Sequence, residues 1–242
     1  MTTTVAVAGA SGRLGKVVCQ VIEDHPDFEL VARLGSASAP EEGAEADLLI
    51  DVTNPDASPV IVERALRRGQ KVIVGTSGWP AARIEVLRGW VEELDAVAFL
   101  IPSFSYASAV AGSLVLKAAP FFDSIEVIES HHAGKVDSPS GTAVRIAERI
   151  AEVRQGRPVN TPFPEQPARG LIVDGIAVHA LRMTGVLAQQ EVRFGSGGES
   201  ISVKLDIVNS AEAYRTGITA TLEAVAGAKG LTIGLDKVLG IS

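Results

Sequence analysis

The sequence predicts two architectures in succession: an α/β half on a parallel sheet, then an α+β half on a mixed sheet. Up to about residue 105, short apolar, β-branched runs alternate with stretches of helical periodicity. That alternation implies parallel strands covered by helices on both faces. Beyond residue 170, strand-like runs follow one another through glycine-rich turns such as "GSGGE", which implies antiparallel or mixed pairing. The length of 242 residues, 46% of them hydrophobic and 21% charged, allows one large domain or two small ones with ample core.

The elements read off in order. "TTVAVAGA" is a buried strand, and "RLGKVVCQVIEDH" has apolar residues at helical spacing. "FELVARLG", "ADLLIDVT", "KVIVGTS" and "AVAFLIPS" are further strands. Between them, "SPVIVERALRRG" and "PAARIEVLRGWVEEL" are helices opened by Ser or Pro. An apolar helix, "YASAVAGSLVLKAAPFFD", leads into the strand "SIEVIESHH". The helix "GTAVRIAERIAEVR" carries the stripe Ala143, Ile146, Ala147, Ile150 and Ala151. Residues 155–170, with Pro158, Pro162, Pro164 and Pro167, read as an ordered loop. "IAVHALRM", "AQQEVRFGS" and "ESISVKLDIV" are strands, and "AEAYRTGITATLEAVAGA" is a closing helix. The expected division is a dinucleotide-binding domain over 1–105, to which 212–242 returns, and a second domain over 106–211.

The formal charge of −7 and pI near 5.2 offer no general attraction to nucleic acid or an anionic membrane. The single Cys19 cannot form an intramolecular disulfide, which suits a reducing compartment. The start "MTTTVAVAGASG" lacks a basic leader, and the apolar runs are too short to span a bilayer. A cytoplasmic protein is expected.

The first strand runs into Gly9-Ala10-Ser11-Gly12-Arg13-Leu14-Gly15, a G-x-x-G-x-x-G turn opening a helix. Glycines let the backbone approach a pyrophosphate, whose charge meets the free N–H groups and positive end of the helix dipole. The same pattern also occurs as a plain turn, but its place between a buried strand and an amphipathic helix favours a Rossmann-type dinucleotide site. At the end of the second strand, "RLGSAS" offers Arg33, a glycine and hydroxyls but no acid. An acid there would suit the ribose 2′-hydroxyl of NADH. Its absence, with Arg33 nearby, favours NADPH over NADH. The later strand ends "DVTNP", "GTSGW" and "IPSFS" place Thr53, Thr76 and Ser77 where open α/β sheets bind ligands.

Two of the four histidines stand together in "ESHHAGKVDSPSGTA", residues 129–143. Ser140 is a good N-cap, and Gly141, Thr142 and Ala143 would open a helix whose free N–H groups form an anion site. Lys135 adds positive charge, so a small carboxylate could bind despite the acidic surface. Strand alternation sends His131 and His132 to opposite faces, and either a histidine or a desolvated lysine can transfer protons near neutral pH. Adjacent histidines without a cysteine cluster or a helical His partner do not make a zinc set, so no metal is expected.

Glu-x-His-His-x-x-Lys-x-Asp-x-Pro-Ser-Gly-Thr-Ala, behind the glycine turn and the "GTSG" strand end, resembles the dihydrodipicolinate reductase family, in its actinobacterial branch. The resemblance spans nearly the whole chain. It implies reduction of a cyclic imine dicarboxylate by NADPH or NADH, and homotetramers formed through the second domain. It also implies His131 as proton donor and acceptor, Lys135 as a second proton donor, and substrate contacts from His132, Ser140, Gly141 and Thr142. Cofactor contacts would come from Gly9 to Leu14, from Arg33 and Thr53, from Gly75, Thr76 and Ser77, and from Ile101, Pro102, Ser103 and Phe104. The chain departs from the family pattern at Ser103, where an asparagine is usual, at Ala107 for a glycine, at Gln189 for a histidine and at Ala211 for an arginine. Two other readings stand beside it. A semialdehyde dehydrogenase needs a nucleophilic cysteine, and an amino-acid dehydrogenase does not need the Lys135–Thr142 constellation. A non-catalytic nucleotide-binding regulator would tolerate loss of His131 or Lys135.

Overall fold

The computed structural model describes residues 2–39 and 41–241. The chain begins with β1 (Thr3–Ala8), α1 (Arg13–Glu23), β2 (Phe28–Leu34), β3 (Leu48–Asp51) and α2 (Ser58–Arg67). It continues through β4 (Lys71–Val74), α3 (Ala81–Glu93), β5 (Val97–Leu100) and α4 (Tyr106–Ala118). Then come β6 (Ser124–His132), α5 (Gly141–Arg154), β7 (Leu171–Val173), β8 (Ile176–Met183), β9 (Ala188–Ser196) and β10 (Glu199–Ile207). It closes with α6 (Ser210–Ala226), β11 (Gly230–Ile233) and α7 (Leu235–Val238). Two compact units result: residues 1–106 together with 211–242, and residues 107–210.

The first unit holds a six-stranded sheet in the order β11-β5-β4-β3-β1-β2, with every pairing parallel. Central β3 is buried at every residue, whereas edge strand β2 alternates between buried and exposed positions. A strand covered on both faces needs apolar side chains on both, and an edge strand does not. Helix α1 buries Val18, Cys19, Val21 and Ile22. On the other face, Val62 and Leu66 of α2 and Leu87 and Val91 of α3 join Val72, Val74 and Leu100 of the sheet in one core.

The second unit is a mixed five-stranded sheet, β10-β9-β6-β8-β7, in which β6 and β8 are parallel and the other pairs antiparallel. One face packs Ile125, Val127, Val178, Val192 and Phe194 against Ile146, Ala147 and Ile150 of α5. Arg154, buried at the C-terminal end of α5, donates to the carbonyls of Ala119, Phe122, Pro158 and Arg157 at 2.6–3.1 Å. Those four acceptors tie the end of α4 and the loop after α5 to the helix, and they offset the cost of burying the guanidinium.

Two features differ from the sequence expectation, and a third adds a strand to the returning segment. The helix expected over 106–123 stops at Ala118, two residues before Pro120, which cannot continue a helix. The proline-rich stretch ends in a single 3-10 turn, Pro167–Arg169, followed by the short strand β7. The chain's last segment supplies β11, which pairs with β5 in register Gly230↔Val97 to Ile233↔Leu100.

Candidate active site

In the first unit, the turn between β1 and α1 is built on glycine backbone. Gly9 has φ +84°, and a side chain there would put its Cβ 2.5 Å from the Val52 carbonyl oxygen. At Gly15 the Cβ would lie 2.1 Å from the Gly9 carbonyl oxygen. Only glycine lets the turn close against both the end of β3 and the first turn of α1. The Gly9 and Ala10 N–H groups donate to the Leu34 carbonyl at 3.0 and 3.3 Å, fixing the turn to β2. No side chain among the described residues caps α1, whose N-cap is the extended Gly12. The N–H groups of Arg13, Leu14 and Gly15 lack intrahelical acceptors, as in any first helical turn. Ser11, Gly12 and Arg13 are exposed beside them. These residues fit the pyrophosphate of a dinucleotide: backbone donors, a positive dipole end and no Cβ in the way.

The ends of β3, β4 and β5 lie along the same edge of this sheet as the glycine turn. Asp51 ends β3 fully buried and accepts from Thr53 Oγ1 at 2.6 Å and from the Thr53 N–H at 3.2 Å. Its second oxygen accepts from Ser58 Oγ, which in turn accepts from Trp79 Nε1 at 3.0 Å. This network fixes the β3–α2 loop. Gly75 and Thr76 donate their N–H groups to the Asp51 carbonyl at 2.8 and 3.2 Å. A Cβ on Gly75 would meet the Phe104 ring at 2.7 Å, so the buried Phe104 lies directly on that glycine. Ile101 is buried and donates its N–H to Val74, Ser103 Oγ accepts from the Ser105 N–H at 3.4 Å, and Ser77 and Pro102 are exposed.

The Arg33 backbone lies beside the glycine turn, opposite Val7 of β1, but its guanidinium is directed to α1, where it pairs with Glu23, the last residue of the helix. Cys19 is buried on the same helix, and burial pushes its thiol up, against the opposing influence of Arg33. A thiol held protonated is a poor nucleophile, which removes the support for the semialdehyde dehydrogenase reading.

In the second unit, the His-His-Lys motif runs from the end of β6 to the start of α5. Glu129 and His131 are two residues apart on β6 and share the face covered by α5, with Ile125 and Val127; His132 takes the other face. The Glu129 side chain is wholly buried. Its Oε2 is 2.5 Å from His131 Nδ1, and its Oε1 accepts from the Ser140 N–H at 3.0 Å. Arg182, opposite His131 on β8, donates to both oxygens at 3.0 Å and also to the Asp137 carbonyl. Burial opposes the charge on Glu129, but hydrogen bonds from Arg182, His131 and Ser140 outweigh it and hold the carboxyl below its usual range.

Ser140 caps α5 by accepting from the Ala143 N–H at 3.3 Å, which leaves Gly141 and Thr142 as exposed first-turn residues. Lys135 Nζ lies 2.7 Å from Asp137 Oδ1. That ammonium, with the Asp137 and Gly141 N–H groups, holds the Asp137 carboxyl below its usual range despite partial desolvation. Of the expected residues, His131 and Ser140 are held by Glu129, and Lys135 and Gly141 by Asp137, while Thr142 lies exposed beside them. Sequence reasoning gave neither acid a role and did not find Arg182. The two-residue step from Glu129 to His131 was a readable signal, whereas Arg182 depends on the β6–β8 register. Another histidine–acid pair of this unit, His179 Nε2 to Glu126 Oε2 at 2.6 Å, lies on the opposite face of β6 and is joined there by Arg169. Gln189, opposite Ser130 in β9, also takes that other face.

A parallel nucleotide-fold sheet with an open helix N-terminus, joined to a mixed sheet carrying an acid–histidine–lysine cluster, defines a two-unit, pyridine-nucleotide-dependent oxidoreductase class. The family profile for the dihydrodipicolinate reductase N-terminus matches residues 3–104, and that for its C-terminus matches residues 107–239. The chain belongs to the dihydrodipicolinate reductase family. It is 45% identical to the 4-hydroxy-tetrahydrodipicolinate reductase of Clavibacter michiganensis subsp. michiganensis, over 100% of this chain and 87% of that one. It is 39% identical to the enzyme of the same name from Corynebacterium urealyticum, over 98% of both chains. Among solved structures, a dipicolinate-bound dihydrodipicolinate reductase from Paenisporosarcina sp. TG-14 superposes with TM-score 0.82 at 25% identity, covering 98% of this chain and 99% of that one. An apo scyllo-inositol dehydrogenase from Lactobacillus casei, at TM-score 0.64 and 12% identity over 99% of this chain and 93% of that one, shares the fold alone.

Proposed function

We propose that the chain reduces 4-hydroxy-tetrahydrodipicolinate to tetrahydrodipicolinate with NADPH or NADH, in the cytoplasm, in the route to diaminopimelate and lysine. The observation that carries this is the cluster in which one buried carboxylate, Glu129, holds both His131 and the N-cap of α5, in a chain of this family. The nicotinamide cofactor supplies the hydride when bound. The turn from Gly9 to Leu14 would hold its pyrophosphate, with the N–H groups of Arg13 and Leu14 as donors and the glycines giving the backbone room to approach. The segments around Thr53, Gly75 to Ser77 and Ile101 to Phe104 line the same sheet edge for its ribose and nicotinamide.

In the second unit, the Thr142 N–H, the Gly141 N–H on giving up Asp137, and the dipole of α5 receive a substrate carboxylate, with His132 contributing a contact. Lys135 leaves Asp137 for the substrate, offering positive charge to a carboxylate and a proton at Nζ to the departing hydroxyl. His131 exchanges a proton at Nε2. The dipicolinate bound in the Paenisporosarcina relative is a planar dicarboxylate of the kind this site would take. Four copies would associate through the second unit, whose uncovered sheet face carries Glu126, His179, Glu191, Arg193 and Lys204; sedimentation of the purified protein checks this.

The reading is tested by supplying freshly made dihydrodipicolinate synthase product and following the absorbance of NADPH and NADH separately. Oxidation of either supports the reductase. Tight nucleotide binding without oxidation would instead favour a changed substrate, with Ser103, Ala107, Gln189 and Ala211 as the first residues to examine.

A further inference from the structure

We infer that Glu129, gripped on both oxygens by Arg182, is the positioning residue of the site, setting the tautomer of His131 and the seat of the α5 N-terminus together. This rests on the reductase reading for its kinetic consequence, but its structural content stands on the cluster alone. An ionised carboxylate only accepts hydrogen bonds. Since Glu129 Oε2 lies 2.5 Å from His131 Nδ1, the proton between them belongs to the ring, and Nε2 is left as the nitrogen for proton exchange. The partner that orients a working histidine from its far nitrogen acts in this way in other proteins. Glu129 is the more constrained because its side chain is wholly buried. The bidentate Arg182 contact, 3.0 Å to each oxygen, supplies the compensating charge and fixes the plane of the carboxylate.

The division of labour between the two oxygens sharpens the inference. Oε1 receives the Ser140 N–H and one Arg182 nitrogen; Oε2 receives His131 and the other Arg182 nitrogen. In Glu129→Gln the amide oxygen can keep the Ser140 and Arg182 donors on the first side. The amide NH2 then faces two donors on the second side. The favourable response is for the imidazole to give up its Nδ1 proton, accept from the amide, and carry its proton on Nε2. The α5 N-terminus stays seated while His131 is switched to the wrong tautomer.

The test combines kinetics with nitrogen-15 NMR of histidine-labelled protein, the His131 signals being assigned by loss in His131→Ala. In the wild type, neutral His131 is expected as the Nδ1–H form. In Glu129→Gln it is expected as the Nε2–H form, with kcat lowered about 10–100-fold, the scale seen when the partner orienting a histidine is removed. KM for the imine and the dissociation constant for NADPH should stay within about threefold. Wild-type His131 in the Nε2–H form would overturn the inference, and that measurement needs no folded variant. An unchanged tautomer in Glu129→Gln, or equal losses in kcat and nucleotide binding, would overturn it too. If the wild type oxidised no nucleotide with the imine, the reductase reading would fail, while the NMR comparison would still decide the role of Glu129.

Discussion

Lys135 and Glu129 show two different ways of holding a charge. The ammonium is partly exposed and pairs with Asp137 at 2.7 Å, a contact that a substrate carboxylate can replace. Removing it in Lys135→Ala is expected to lower kcat/KM by about 10²–10³-fold, the scale of losing one preorganised electrostatic group; steady-state kinetics at fixed nucleotide concentration checks it. Glu129 is instead permanently engaged, and its folded-state carboxyl lies below the usual range. A depressed carboxyl adds stability that is fully present above its unfolded value, about 4.3, and is lost as pH falls through the folded one. Thermal melts taken downward from pH 6 should therefore show an acid-side loss that is shallower in Glu129→Gln. At this scale the sequence displayed the motif's chemistry but not its wiring. Glu129 and His131 are neighbours by strand period, while Arg182 lies 53 residues further along the chain and meets them only through the parallel β6–β8 register.

Elements were legible where they carry a buried apolar run or stripe, as even the four-residue β3, β4 and β5 do. The eleven-residue α1 and the fourteen-residue α5 carry clear stripes, and both matched expectation at their N-termini. β7 and β11 lie at sheet edges without a buried residue, so neither carries such a run. Contacts between elements were less visible still. Gly217 in α6 would put a Cβ 1.9 Å from the Phe104 carbonyl oxygen, so helix and loop meet backbone to backbone. Gly217→Ala must displace one of them. A loss of about 1–3 kcal/mol is expected, the usual cost of overpacking. Urea unfolding with an unchanged slope would identify it as a stability effect. Nucleotide binding should weaken with it, because Phe104 also rests on Gly75 at the end of β4.

Across the whole molecule, two units arise from three stretches of chain, with 107–210 inserted between the parts of the other. The alternation of strands and helices, then its end, was enough to expect two sheets. The return of 212–242 to the first unit was expected, but strand β11 within it left no periodic signature, because it is only half-buried and its pairing partner lies far back in the sequence. Ending the chain after Ala228 removes β11 and α7 and uncovers the β5 edge that Gly230–Ile233 would pair. Such a protein should melt at lower temperature and aggregate on heating, since a bare strand edge templates further pairing. A melting temperature equal to the full chain's would show that β11 is dispensable.

That late strand also sets an order of events during synthesis. Everything the second unit contains has been made by residue 210, whereas the sheet that starts with Thr3 waits for residues 230–233. Domains made first ordinarily fold first on the ribosome. Here the half that is begun last is the half that can be finished first, and the nucleotide-binding sheet stays open-edged until residues 230–233 have been made.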